Sequence, residues 1–228
     1  DLINGGIKNI VVNAADIPTT HKEKDQKNDR RDSKKLAREL ANKSLTGIRI
    51  PTEAEESLRS LRRLRDQLIA DRTRKKNQIK SLLNYNGIIF PEDIKGKYWS
   101  KKFIDYLRTI KFNYPETQIT LNMLIDNLVY LEEQIAKVVE ELAKYTEEDK
   151  KAQKIVPLLM TIPGIGFITA ISFYTEIMDI NRFKKLDEFC SFVGLVPSTR
   201  SSGAKEVVCG ITHRQNGYLR NLLIEAAW

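Results

Sequence analysis

At 228 residues, with a formal net charge of +8 and 30% charged side chains, the chain is long enough for one or two cored units and basic enough to expect a polyanionic partner. No apolar run approaches the roughly 20 residues that a membrane helix needs, which excludes a helical membrane protein. The two cysteines, Cys190 and Cys209, each stand alone in apolar surroundings, as free thiols of a reducing compartment do. The two histidines, His21 and His213, lie far apart in sequence, so carboxylates are the expected ligands of any metal.

The chain starts without methionine and stops at Trp228 inside a helical pattern of Leu219, Leu222, Leu223 and Ala226, so both ends read as cut. Ile7, Ile10, Val11 and Val12 predict a short buried strand, with a turn at Pro18. A helix is predicted over about 32–42, with Leu36, Ala37, Leu40 and Ala41 on one face. Pro51 and Thr52, with Glu55 three residues on, resemble a capping box that opens a long helix carried by Leu58, Leu61, Leu64, Leu68, Ile79 and Leu82. A second long helix, over about 117–144, has apolar residues at 121, 124, 128, 131, 135, 138 and 142, alternating steps of three and four that make a heptad seam. Between the two, Gly87, Pro91, Gly96 and Pro115 punctuate a stretch with a short helix near 99–110. The central third therefore reads as an antiparallel helical hairpin or a dimerising coiled coil. The charged residues 145–154 read as a linker, and the Gly- and Pro-punctuated remainder as a small helical domain with functional loops.

Four constellations have chemical potential. The first long helix carries Arg59, Arg62, Arg63, Arg65, Arg72, Arg74, Lys75, Lys76 and Lys80 against Asp66 and Asp71, a surface for phosphates or, more plainly, a solvated charged face. Thr161-Ile-Pro-Gly-Ile-Gly166, followed at once by a helix, matches a helix-hairpin-helix pattern. Gly164 and Gly166 would let the backbone approach a phosphate, although such turns also serve as packing corners. Asp29 and Asp32 share one face of a helix start, as magnesium ligands or as N-caps. Pro197-Ser-Thr-Arg-Ser-Ser-Gly203 is a flexible loop whose serines could attack a phosphodiester, flanked by the cations Arg200, Lys205, His213, Arg214 and Arg220; the plain alternative is a loop without chemistry.

In their order, three blocks resemble the transposases of insertion sequence family 110, relatives of the pilin-gene-inverting recombinases. They are Val11-Val-Asn-Ala-Ala-Asp-Ile-Pro18 with Lys27-Asn-Asp-Arg-Arg-Asp-Ser-Lys-Lys-Leu-Ala37; Leu159-Met-Thr-Ile-Pro-Gly-Ile-Gly166; and Phe192-Val-Gly-Leu-Val-Pro197 through Ser-Ser-Gly203 to Leu219-Arg-Asn-Leu-Leu-Ile-Glu-Ala-Ala227. The fold class implied is mixed and mainly α. Residues 1–50 would be the C-terminal part of a RuvC-like, RNase H-like α/β domain, 51–149 a coiled-coil region, and 150–228 a transposase domain with the helix-hairpin-helix. The resemblance makes Asp29 and Asp32 the last two members of a DEDD carboxylate tetrad that holds Mg2+, with the other two expected before residue 1 and this stretch alone expected to be inactive. Lys27-Asn28-Asp29 stands where the family has lysine-threonine-aspartate. Ser202, directly before Gly203, matches the nucleophile best, with Ser201 as the fallback. The implied partners are DNA, a structured bridge RNA that guides it, and further copies in a dimer or tetramer, in a prokaryotic cytoplasm at the nucleoid. Two other readings stay open on the residues: a non-catalytic nucleic-acid-binding protein and a metal-dependent junction nuclease.

Overall fold

Asn28 is itself extended, and its side chain accepts the N–H of Arg31 at 2.9 Å, satisfying a donor that a helix start leaves orphaned. This opens helix α1, Asp29–Ala41, in the computed structural model, which describes residues 2, 5–19, 28–91, 98–202, 205–211 and 216–228. The chain divides into two units, Asp1–Glu53 and Ala54–Trp228.

In the first unit the predicted strand over residues 7–12 does not form. Val11 accepts one hydrogen bond across the chain, from the Ile48 N–H at 2.8 Å, while Ile10 and Val11 stay 43% and 42% exposed. A strand is held by a ladder to a neighbour, and no strand is present among the described residues of this unit. The predicted helix does form but begins at Asp29, with Asn28 as its cap in place of either aspartate.

The second unit is built on two long helices, α2 (Glu53–Tyr85) and α4 (Pro115–Glu148), joined through the short α3 (Lys101–Thr109). Ile79 and Leu83 near the end of α2 pack with Leu121, Ile125 and Leu128 near the start of α4, and Leu58 packs with Val138 and Leu142. The pair is therefore antiparallel. Of the heptad positions, 121, 128, 135, 138 and 142 are buried within one chain, which selects the hairpin of the two predicted arrangements. Phe103 and Leu107 of α3 cover the open end of this core.

Residues 145–154 form a capped joint, not a linker. Helix α4 runs on to Glu148, and the Asp149 carboxylate accepts the N–H groups of Lys151 and Ala152 at 3.1 and 2.6 Å and the Tyr174 hydroxyl at 2.9 Å. Burial opposes ionisation of Asp149, but the Ala152 N–H, the Tyr174 hydroxyl and the Lys151 N–H outweigh it and hold the pKa below the ordinary value. Burial, then the hydrogen bond to Asp149, pushes the Tyr174 phenol well above its usual range.

Helices α5 (Ala152–Met160) and α6 (Phe167–Ile177) follow, and their apolar cluster of Val156, Ala170 and Ile171 is continuous with Leu58, Val138 and Leu142 of the long pair. A smaller cluster of Phe173, Val193 and Leu219 joins α6 to α7 (Leu186–Val193) and α8 (Gly217–Ala227). Between α7 and α8 lies a two-stranded antiparallel hairpin, β1 (Pro197–Ser202) and β2 (Lys205–Ile211). Among the described residues no helix is long and apolar enough to cross a membrane.

Candidate catalytic segment and nucleic-acid interface

The serines predicted in a loop stand instead at the end of a strand. The backbone register pairs Ser201 with Glu206 and Ser202 with Lys205. Alternating polar residues such as Thr199, Arg200 and Ser201 take an extended conformation when a partner strand supplies the hydrogen bonds. Arg200 pairs with Val207 in the same ribbon. His213 and Arg214 lie outside the described residues, and Arg220 is half-buried in the first turn of α8.

Helices α2, α6 and α8 share a buried polar network that sequence reasoning missed. Glu176, near the end of the apolar helix α6, is 3% exposed. Its carboxylate accepts two hydrogen bonds from Arg63 at 2.9 and 3.0 Å, takes the Asn216 amide at 3.0 Å and lies 3.8 Å from Arg59. Such a fork of parallel bonds is the strong form of ion pair, and it satisfies a carboxylate that could not otherwise be buried. The hydrogen bond to Glu176 raises the Arg63 pKa against the opposing effect of burial. Asn216 works twice more: its side chain caps α8 by accepting the Leu219 N–H at 3.2 Å, and its own N–H bonds the Phe192 carbonyl at 2.9 Å. The residue directly after the 212–215 segment is thus tied to α6, α7 and α8.

Arg62 is spent in the same place. Predicted to face nucleic acid, it is only 1% exposed; it donates to the Ser172 hydroxyl, pairs with Asp66 at 2.7 Å and lies 5.0 Å from the Tyr218 ring. The correction has a simple physical cause. Arg62 falls one helical turn after Leu58, on the stripe that packs inward, while Leu64, counted in the apolar face, is 41% exposed. Beside them, burial followed by the neighbouring Arg62 charge lowers the Arg65 pKa. A lone glutamate in Phe167–Ile177 was the available signal, since an acid in an apolar helix demands a cation from elsewhere.

Farther along α2 the cations face outward. Arg74 keeps 67% of its side chain exposed beside Asp71 at 2.7 Å, and Arg72 and Lys76 share Glu132 of α4 at 3.2 and 3.3 Å. Lys75 is half-buried and Lys80 exposed.

The predicted glycine turn forms between α5 and α6. Gly164 adopts a φ of +85°, and a Cβ there would lie 2.4 Å from the Ala226 carbonyl oxygen of α8. Its close backbone approach is therefore to the protein itself. Gly166, the residue before α6, has open space around it.

Asp29 and Asp32 occupy the first turn of α1, and Asp32 lies 3.9 Å from Lys35. Both are on the surface with hard oxygen donors, and they fit as two of the protein ligands of a magnesium ion. Among the described residues, no group of three or more His, Cys, Asp or Glu side chains is placed to hold a metal. Cys190 is a free, half-buried thiol.

Comparison with known proteins gives the class of this basic, mainly helical chain, the transposases of insertion sequences, and then the family. Residues 156–228 match the profile of the transposase IS116/IS110/IS902 family, and residues 2–87 match a second transposase profile, of the DEDD type of IS110 elements. The transposase for insertion sequence element IS1111A of Coxiella burnetii is 32% identical over 204 residues, covering 90% of this chain and 55% of that protein. The transposase for IS1328 of Yersinia enterocolitica is 31% identical over 207 residues, covering 90% and 59%. A putative transposase of Sinorhizobium fredii, y4qE, is 30% identical over 203 residues, covering 89% and 47%. The chain belongs to the IS110 family of transposases, and it spans about half the length of these relatives.

Proposed function

We propose that the chain is part of a DNA recombinase that moves an insertion sequence under the guidance of a structured bridge RNA, with Ser202 as its nucleophile. The observation that carries the reading is the strand register, which pairs Ser202 at the end of β1 with Lys205 of β2. A nucleophile has to be held against its target, and a cation beside it favours the charge that builds on a phosphate under attack. The serine oxygen adds to phosphorus and one strand's terminal oxygen departs with a proton. Attack by the hydroxyl of another strand then releases the serine. One phosphoester replaces another at each step, so no energy-rich cofactor is consumed.

Residues 1–50 belong, in this reading, to a RuvC-like domain in which Asp29 and Asp32 hold magnesium with further carboxylates. Magnesium supplies neutralisation of the phosphate charge when bound. Residues 161–170 act as a helix-hairpin-helix whose exposed Gly166 end meets a phosphate. Two or more copies assemble so that serine and carboxylate sites act on the same strands. The test is covalent capture: the transposase with its DNA gives a denaturant-stable protein–DNA adduct, Ser202→Ala abolishes it, and RNA binding is retained. Adducts at normal level in Ser202→Ala but lost in Ser201→Ala assign the role to Ser201; adducts unaffected by either change end the serine reading.

A further inference from the structure

We propose that the groove around Trp99 is a stacking site for one unpaired nucleobase of a nucleic-acid strand, with that strand's phosphates on the lysines at its rim. The inference takes from the recombinase reading only the class of partner. Trp99 holds a φ of +67°, a left-handed conformation that bulky side chains avoid, immediately before Ser100, whose hydroxyl caps α3. Its indole meets Phe103 edge to face, with centroids 5.3 Å apart and planes at 71°, so the ring plane is set from below. With Ile104, Leu128, Val129 and Ala136 it lines a cavity of about 410 Å³ open to solvent, within the size range of small-ligand sites.

The rim is charged. Lys76 and Lys80 hold their ammonium groups over the indole, 5.4 and 6.0 Å from its centroid, and of the lysines Lys76 and Lys101 line the cavity. Glu132 and Glu133 are also there, but the Glu132 carboxylate is already divided between Lys76 at 3.3 Å and Arg72 at 3.2 Å. The lining carries Lys76 and Lys101 against Glu132 and Glu133, and Lys80 beside it adds one further cation. An apolar floor with a fixed indole, ringed by cations, is the arrangement by which proteins hold single strands: the base stacks on the ring and its phosphates reach the lysines. A duplex keeps its bases stacked on one another and cannot use the floor.

The chain's second tryptophan, Trp228, is fully exposed, so Trp228→Phe leaves Trp99 as the sole indole. That variant is titrated with short oligo(dT), oligo(U), an abasic strand of equal charge and a duplex, with indole emission as the readout and electrophoretic retention of the duplex in parallel. Saturable quenching by base-bearing single strands, and roughly tenfold weaker binding of the abasic strand, is the expected result. Whichever of oligo(dT) and oligo(U) binds tighter tells whether DNA or RNA supplies the base. Lys80→Glu with Lys101→Glu, outside the core, weakens the single-strand affinity about tenfold while far-ultraviolet circular dichroism is unchanged. Unchanged emission, or equal affinity for the abasic strand, overturns the proposal. If duplex retention persists in that case, the site fails and the recombinase reading stands; if the duplex is lost too, the nucleic-acid reading itself fails.

Discussion

The two halves of helix α2 are both rich in cations and put them to different uses. In the first half, Arg59, Arg62 and Arg63 turn toward α6 and α8 and meet Glu176, Ser172 and Tyr218. In the second, Arg74 and Lys80 remain at the surface, and Arg72 and Lys76 pair with Glu132 of the adjacent helix. A run of cations is therefore two things at once: an internal clamp where a buried acid waits, and a more solvent-facing surface where none does. Helix phase and the partner decide, not charge density.

The comparison is most easily broken at Glu176. Glu176→Ala leaves Arg59, Arg63 and Asn216 without their shared acceptor, and stability should fall by about 3 kcal/mol in urea unfolding, as for a buried pair deprived of one member. A loss near zero would mean that the first half of α2 is no clamp. Next comes a matched pair along the helix. Arg62→Ala should cost about 2 kcal/mol and leave the salt dependence of DNA binding unchanged, because the side chain is buried among Ser172, Tyr218 and Asp66. Lys80→Ala should stay within about 0.5 kcal/mol of the parent yet lower the slope of log affinity against log salt by about one. Equal behaviour of the two variants in both assays would erase the distinction.

The smallest effect concerns the joint beside the clamp. Asp149 is held below its ordinary pKa in the folded protein, so its stabilisation is present above about pH 4 and is lost as pH falls through the native value. In Asp149→Asn the unfolding free energy should vary less between neutral pH and pH 3, by under about 1 kcal/mol because solvent screens this carboxylate. A variant with the same acid sensitivity as the parent would assign that sensitivity to other groups.

Helices were legible wherever period and punctuation agreed. The steps from 121 to 142 gave the inward face of α4, and Pro163, Gly164 and Gly166 located the break between α5 and α6. Family membership was legible in the order of three short blocks, none sufficient alone. The rest depended on partners distant in sequence. Ile10 and Val11 have strand propensity, but propensity forms no ladder without a neighbour. Conversely, residues 197–202 have little apolar alternation and form a strand because 205–211 lies within two residues to receive it. Arg62 and Arg74 are indistinguishable on paper; what separates them is Ser172, more than a hundred positions away. For the site itself, composition alone left Ser202 in a loop, and the strand register that sets it opposite Lys205 appears only in three dimensions.

Helix α2 also has the properties of a ruler. From Arg59 to Lys80 the axis advances about 30 Å at 1.5 Å per residue. That is the length of about nine base steps of B-form DNA at 3.4 Å per step. One end is fastened through Glu176 to Asn216 at the start of α8, and the other stands beside the indole of Trp99. A strand engaged at both ends would be measured off against a single rigid rod, and insertion of a helical turn between the ends would change the span by about 5 Å without touching either chemistry.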